Sequence, residues 1–139
     1  MILLDTNVLI YAFDPDSPFC HWAKETIAEA VVGDGAAINA VSLAEICVGD
    51  ADPPTAADRI RSWGIETLDV PAAAAYVCAK AYRRYRQRRV SQSDVPVSIM
   101  PLPDFFIGAH AKIMGWELAT ADQGRFHTYF PSVPLKMPS

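Results

Sequence analysis

The sequence predicts a three-layer α/β/α fold with a mostly parallel central sheet. Short apolar runs alternate with helical patterns along the whole chain, and the first run is apolar on both faces, as a strand covered from both sides must be. Breakers such as Gly33, Gly35, Asp52-Pro53-Pro54, Gly64 and Gly115 separate the elements. The 139 residues are enough to bury one core, and no composition shift marks a boundary, so a single domain over 1–139 is expected.

Residues 2–4, with Val8, Leu9, Ile10 and Tyr11 beyond Asp5-Thr6-Asn7, form an apolar run that reads as the central strand. After Pro15 to Pro18, the residues Trp22, Ala23, Ile27, Ala30 and Val31 recur at helical spacing until Gly33. Residues 36–41 read as a second strand, and Ser42 with Glu45 fits a capping box opening a helix over 43–48. Thr55 suits the cap of a short helix over 56–63, followed by a strand over 65–70. From Pro71 a long alanine-rich helix runs to about residue 89. Residues 90–103, with three prolines and three serines, read as an irregular loop. Residues 104–114 return to helix, Gly115 closes it, 116–120 form a strand, and 133–136 allow an edge strand.

Hydrophobic residues make up 51% and charged residues 20% with no repeat, which excludes disordered, collagen-like and solenoid classes. The formal charge of −4 hides an asymmetry: residues 1–70 carry 12 acids and 3 bases, residues 71–139 carry 4 acids and 9 bases. An anionic site and a basic surface on one molecule would produce it. No apolar run approaches the roughly 18 residues that span a bilayer, and Met1-Ile2-Leu3-Leu4 is too short for a signal core. Cys20, Cys47 and Cys78 lack metal-ligand spacing and read as small core residues, so the expectation is a soluble, cytoplasmic, reducing context with no membrane partner.

In open parallel sheets ligands bind beyond the carboxyl ends of the strands. Asp5 follows the first strand, Glu45 lies early in the helix after the second, Asp104 opens the helix before the 116–120 strand, and Asp122 follows that strand. Four carboxylates gathered at one sheet end repel one another unless a cation neutralises them, and a hard divalent ion with oxygen ligands is the natural counterion. Such an ion activates water and stabilises charge on a phosphate, which is the chemistry of phosphodiester hydrolysis. Each acid also has a plain structural reading: a turn acceptor at Asp5, helix N-terminal positions at Glu45 and Asp104, an Asx-turn with Gly124 at Asp122.

Leu4-Asp5-Thr6-Asn7-Val8-Leu9-Ile10-Tyr11, Val41-Ser42-Leu43-Ala44-Glu45-Ile46, Leu102-Pro103-Asp104-Phe105-Phe106-Ile107-Gly108-Ala109-His110-Ala111 and Ala119-Thr120-Ala121-Asp122 resemble, in order, the four signature segments of PIN-domain ribonucleases. A free-standing chain of this length is most similar to the VapC toxins of toxin–antitoxin modules. The resemblance implies a PIN-like fold and an endoribonuclease dependent on Mg²⁺ or Mn²⁺, with Asp5, Glu45, Asp104 and Asp122 as the metal site. It also implies Thr6, Asn7 and Thr120 as polar residues around that site, an RNA substrate, a homodimer, and a cognate antitoxin laid across the active-site groove. The 90–103 segment departs from the family pattern in its length and proline content.

Lys80, Arg83, Arg84, Arg86, Arg88 and Arg89 concentrate charge on the long helix, and at about 100° per residue Lys80, Arg83, Arg84, Gln87 and Arg88 share one face. That face reads either as an RNA-binding surface or as an ordinary solvated helix face, while Cys78, Tyr82 and Tyr85 point toward a core. His110 lies about 240° round its helix from Asp104 and reads as packed rather than catalytic. His21 and His127 have no spacing partner. Arg125 reads as a surface residue before a phosphate ligand, and Tyr11, Phe13, Trp22 and Trp63 as core or subunit-contact residues. Two other functions compete: a small phosphatase of the haloacid-dehalogenase type, which needs a second acid where this chain has Asn7, and a non-catalytic binding module holding a structural ion.

Overall fold

The computed structural model describes residues 1–91, 100–122 and 124–139. In chain order the elements are β1 (Ile2–Leu4), α1 (Thr6–Ala12), α2 (Cys20–Val32), β2 (Ala36–Asn39), α3 (Ala40–Val48), α4 (Pro53–Ser62), β3 (Ile65–Leu68), α5 (Ala73–Ser91), α6 (Leu102–Met114), β4 (Glu117–Ala119), α7 (Arg125–Tyr129) and β5 (Leu135–Lys136). The strands form one sheet in the order β3-β2-β1-β4-β5, with every pair parallel. The order reverses at β1, the switch point beside which parallel sheets open a crevice.

Alternation along β1 builds the three layers. Leu3 faces one side, with Ala37 and Leu118 beside it, and packs under α5, α6 and α7 through Cys78, Tyr85, Phe105, Phe126 and Phe130. Leu4 faces the other, with Ile38 and Ala119, under α1, α2 and α4 through Val8, Leu9, Ala23, Ile27 and Ile60. The α/β/α expectation therefore holds, with an apolar core on each face of the sheet.

Several boundaries differ from the sequence reading for local reasons. The first strand stops at Leu4, and Val8 to Tyr11 belong to α1, because the Asp5 carbonyl accepts the Val8 N–H at 3.0 Å and starts a helix. β2 stops at Asn39, with Ala40 and Val41 already helical. The cap of α3 is Asn39, whose Oδ1 accepts the Ser42 N–H at 3.1 Å, so Ser42 and Glu45 form no capping box. α4 begins at Pro53, which leaves Thr55 inside it, donating to Asp52 Oδ2 at 2.7 Å. α5 extends to Ser91 and α6 begins at Leu102, where Pro103 in the first turn has no N–H to lose. Of the rest of the expected 90–103 loop, Met100 and Pro101 lead into α6, and residues 92–99 lie outside the described residues. α7 was not expected from the sequence. Of the cysteines only Cys78 is buried; Cys20 and Cys47 are partly exposed, and all are free.

Candidate active site

Parallel register sets the ends of β1, β2 and β4 side by side: Ile2 lies opposite both Ala36 and Glu117, and Leu4 opposite Ala119. Asp5 leaves β1 with its backbone still in the sheet, its N–H donating to Ala119 O at 2.9 Å. Its carboxylate makes no helix cap. Instead Oδ2 accepts the Thr120 hydroxyl at 2.9 Å, and the residue is 4% exposed. Burial pushes the Asp5 carboxyl up to about 7; the Thr120 bond opposes the rise, and the charges of Asp104 and Glu45 add to it.

Thr120 serves two acids at once, since its oxygen also accepts the Asp122 N–H at 3.0 Å. Asn7, in the first turn of α1, accepts the Ala121 N–H on Oδ1 at 3.3 Å and so ties that turn to the exit of β4. With its amide oxygen held this way, Asn7 offers no second acid to an aspartyl phosphatase, which disfavours that reading. Thr6 donates to Glu45 Oε1 at 2.7 Å. Its oxygen also lies 3.0 Å from Ser42 Oγ, and because the single Thr6 proton goes to the carboxylate, Ser42 supplies the proton of the second bond. Thr6 and Ser42 are both buried, so Glu45 is aimed from below although it reaches solvent.

Asp104 sits in the first turn of α6. Burial pushes its carboxyl up to about 6, with Arg125 opposing and the charges of Glu45 and Asp122 adding. Arg125 is not a free surface residue: Nη2 lies 3.0 Å from Asp104 Oδ2 and Nη1 lies 2.5 Å from Asp122 Oδ2, and its side chain is 24% exposed. The sequence reading of Arg125 as a surface group is corrected by this double ion pair, formed because α7 folds the residue back over the sheet end.

The four acids thus feel one another's charge but do not converge. Among the described residues no three His, Cys, Asp or Glu side chains stand close enough together to hold a metal ion. Each acid instead has a partner within the protein: Thr120 holds Asp5, Thr6 holds Glu45, and Arg125 bridges Asp104 and Asp122. The donors nevertheless suit a hard cation in kind, being oxygens whose mutual repulsion a divalent ion would relieve.

A family model described as the PIN domain matches residues 2–130. The chain belongs to the PIN-domain family. Among solved structures, this PIN chain is similar to VapBC2 from Rickettsia felis bound to a DNA fragment from its promoter, with 20% identity, a TM-score of 0.72 and 100% of both chains covered. It is also similar to a toxin–antitoxin complex from Klebsiella pneumoniae, with 22% identity, a TM-score of 0.64, and 96% of this chain and 95% of that one covered. A third is the Sarcin-Ricin loop cleaving toxin VapC20 from Mycobacterium tuberculosis, with 18% identity, a TM-score of 0.61, and 92% and 94% covered. At these identities the likeness is one of fold. No curated protein matches the sequence.

Away from the four acids, Lys80, Arg83, Arg84 and Arg88 are exposed on α5, while Cys78 and Tyr85 are buried and Tyr82 half-buried, as the helical spacing predicts. Arg83 also borders a groove of about 710 Å³ between α5 and α6, lined with Cys78, Tyr82, Val90, Leu102 and Phe106, and none of the four acids lines it. Phe13 meets Trp63 edge-on at 4.6 Å and Tyr11 meets Phe19 at 5.3 Å; Tyr11, Phe13, Trp22 and Trp63 are partly buried against the core, in line with their packing role. Sequence reasoning missed Asn39 and Ser42 as supports of the site. An Asn at a strand end ahead of a helix is itself a cap signal, and would have located the first of them.

Proposed function

We propose that this PIN chain, as a single nuclease domain over 1–139, is a metal-dependent endoribonuclease and the toxin of a toxin–antitoxin pair. The observation that carries the reading is Asp5: a buried carboxylate at the exit of the central strand, held by Thr120, with like charges from Asp104 and Glu45 around it. A carboxyl in such company keeps its proton up to about pH 7 unless a cation offsets its charge. Asp5, Glu45, Asp104 and Asp122 would hold Mg²⁺ or Mn²⁺, which when bound supplies water activation and charge stabilisation at a phosphodiester. Thr6, Asn7 and Thr120 orient the acids and the turns that bear them, as the hydrogen bonds to ligating carboxylates do in other metal sites. Lys80, Arg83, Arg84 and Arg88 offer the RNA backbone a salt-sensitive anchor.

The similar Klebsiella complex pairs a toxin with its antitoxin, and the similar VapC20 cleaves the Sarcin-Ricin loop, so an antitoxin partner and an RNA substrate suit this chain. A homodimer in the cytoplasm is part of the same reading. Among the described residues no helix is long and apolar enough to cross a membrane.

The test is Asp5→Asn with total RNA and Mg²⁺ or Mn²⁺. Cleavage should fall at least about a hundredfold, in the range that essential catalytic groups supply. A variant that folds and cuts RNA as fast as the wild type would place the chemistry elsewhere. Mapping the cleavage ends identifies the target.

A further inference from the structure

Arg125 is the first residue of α7, directly after Gly124. Its guanidinium spans two acids contributed by different elements, Asp104 from α6 and Asp122 from the exit of β4. Among the atoms it engages are Asp104 Oδ2 and Asp122 Oδ2, and the charge of Asp5 acts on it as well. A guanidinium matches paired carboxylates through fixed, planar N–H donors, and it offers no acceptor with which to share a ligand sphere. A divalent ion that used these same oxygens would have to displace it.

We propose that Arg125 is an internal counter-cation of the site: it neutralises Asp104 and Asp122 until a divalent ion takes them over, and it thereby sets the metal concentration at which the site loads. This rests on the reading of the four carboxylates as a metal site. Two consequences follow from the geometry. Metal-free protein keeps α6, β4 and α7 together through the ion pairs, and the affinity for metal is weaker than the carboxylates alone would give, because each binding event breaks two charge-assisted bonds.

The experiment is calorimetric titration of Mn²⁺ into the purified full chain, wild type against Arg125→Gln, with thermal melts in chelator and in Mn²⁺. Arg125→Gln should bind Mn²⁺ at least about tenfold more tightly, melt lower than wild type in chelator, and gain more from added metal. Arg125→Lys, which keeps the charge but loses the two-pronged reach, should fall between them. Equal or weaker Mn²⁺ binding by a folded Arg125→Gln, with Tm lowered by the same amount with and without metal, would make Arg125 purely structural and overturn the proposal. If neither protein binds Mn²⁺, the metal reading falls and this proposal with it.

Discussion

Asn39 and His110 are hydrogen-bonded across 3.2 Å in the interior, Nδ2 to Nδ1, with Asn39 0% and His110 1% exposed. The Asn39 oxygen is already committed to the Ser42 N–H, so the amide nitrogen must be the donor and Nδ1 the acceptor. His110 is therefore neutral with its proton on Nε2, and burial lowers its pKa in the same sense. The bond joins the cap of α3, which carries Glu45, to the middle of α6, which carries Asp104. His110 thus has a packed role, as its helical position relative to Asp104 predicts. His110→Ala leaves the Asn39 donor buried without a partner and opens a cavity beside Trp116, whose ring lies 5.7 Å away. It should cost about 2–4 kcal/mol by denaturant unfolding. A loss below about 0.5 kcal/mol, the range of an ordinary surface change, would mean the pair contributes nothing.

The raised carboxyls of Asp5 and Asp104 make metal-free stability depend on pH. Asp5 titrates near 3.8 when exposed and at about 7 in the fold, so the folded state holds that proton more tightly. Its contribution is complete below about 4 and is lost as pH rises through 7; that of Asp104 is lost through about 6. In chelator, Tm should fall from pH 5 to pH 8. Asp5→Asn, neutral throughout, should flatten the curve and stabilise the protein at pH 8 by on the order of 1–4 kcal/mol. A wild-type Tm that is flat or rising over that range would refute the assignment. With Mn²⁺ present the slope should reverse, because metal and proton compete for the same oxygens.

Thr120 is the hinge between two acids, donating to Asp5 and accepting from the Asp122 backbone. Thr120→Val keeps the shape and removes both bonds. Without the hydroxyl the Asp5 carboxyl rises further, so the pH at which RNA cleavage reaches half its maximum should move upward and the rate at pH 7 should fall. Thr120→Ser should restore both. An unchanged pH profile in Thr120→Val would show that the hydroxyl has no part in tuning Asp5.

Gly108 lets α6 close on the aromatic core. A Cβ there would lie 2.4 Å from Cδ2 and Cε2 of the fully buried Phe130 ring. That ring is enclosed in the core and meets Phe105 edge-on at 6.0 Å between centroids, so making room for a methyl group means shifting the packing around it. Gly108→Ala should therefore destabilise the fold by about 1–3 kcal/mol, against the usual gain from Ala in a helix. A circular-dichroism melt at or above the wild-type Tm would contradict the packing.

How far the sequence alone reaches follows from the range of the forces involved. The α/β/α layering, Asp5 after β1, the end of α6 at Gly115 and the inward side of α5 rest on patterns local in the chain: apolar runs, a glycine in the left-handed region (φ 68°), a helical period. Val8 to Tyr11 could not be assigned locally, because a short run apolar on every side suits a buried strand and a buried helix alike. The Ser42–Glu45 pattern mimics a capping box, yet Thr6 takes Glu45 from 39 positions away. Arg125 reads locally as surface, since nothing in its neighbourhood reveals that α7 returns it to Asp104. Local sequence determined which elements form and which acids end them. Only the tertiary structure decided which side chain each acid meets, because hydrogen bonds and ion pairs between distant residues depend on how the strands order themselves, and parallel order is set by packing on both faces of the sheet.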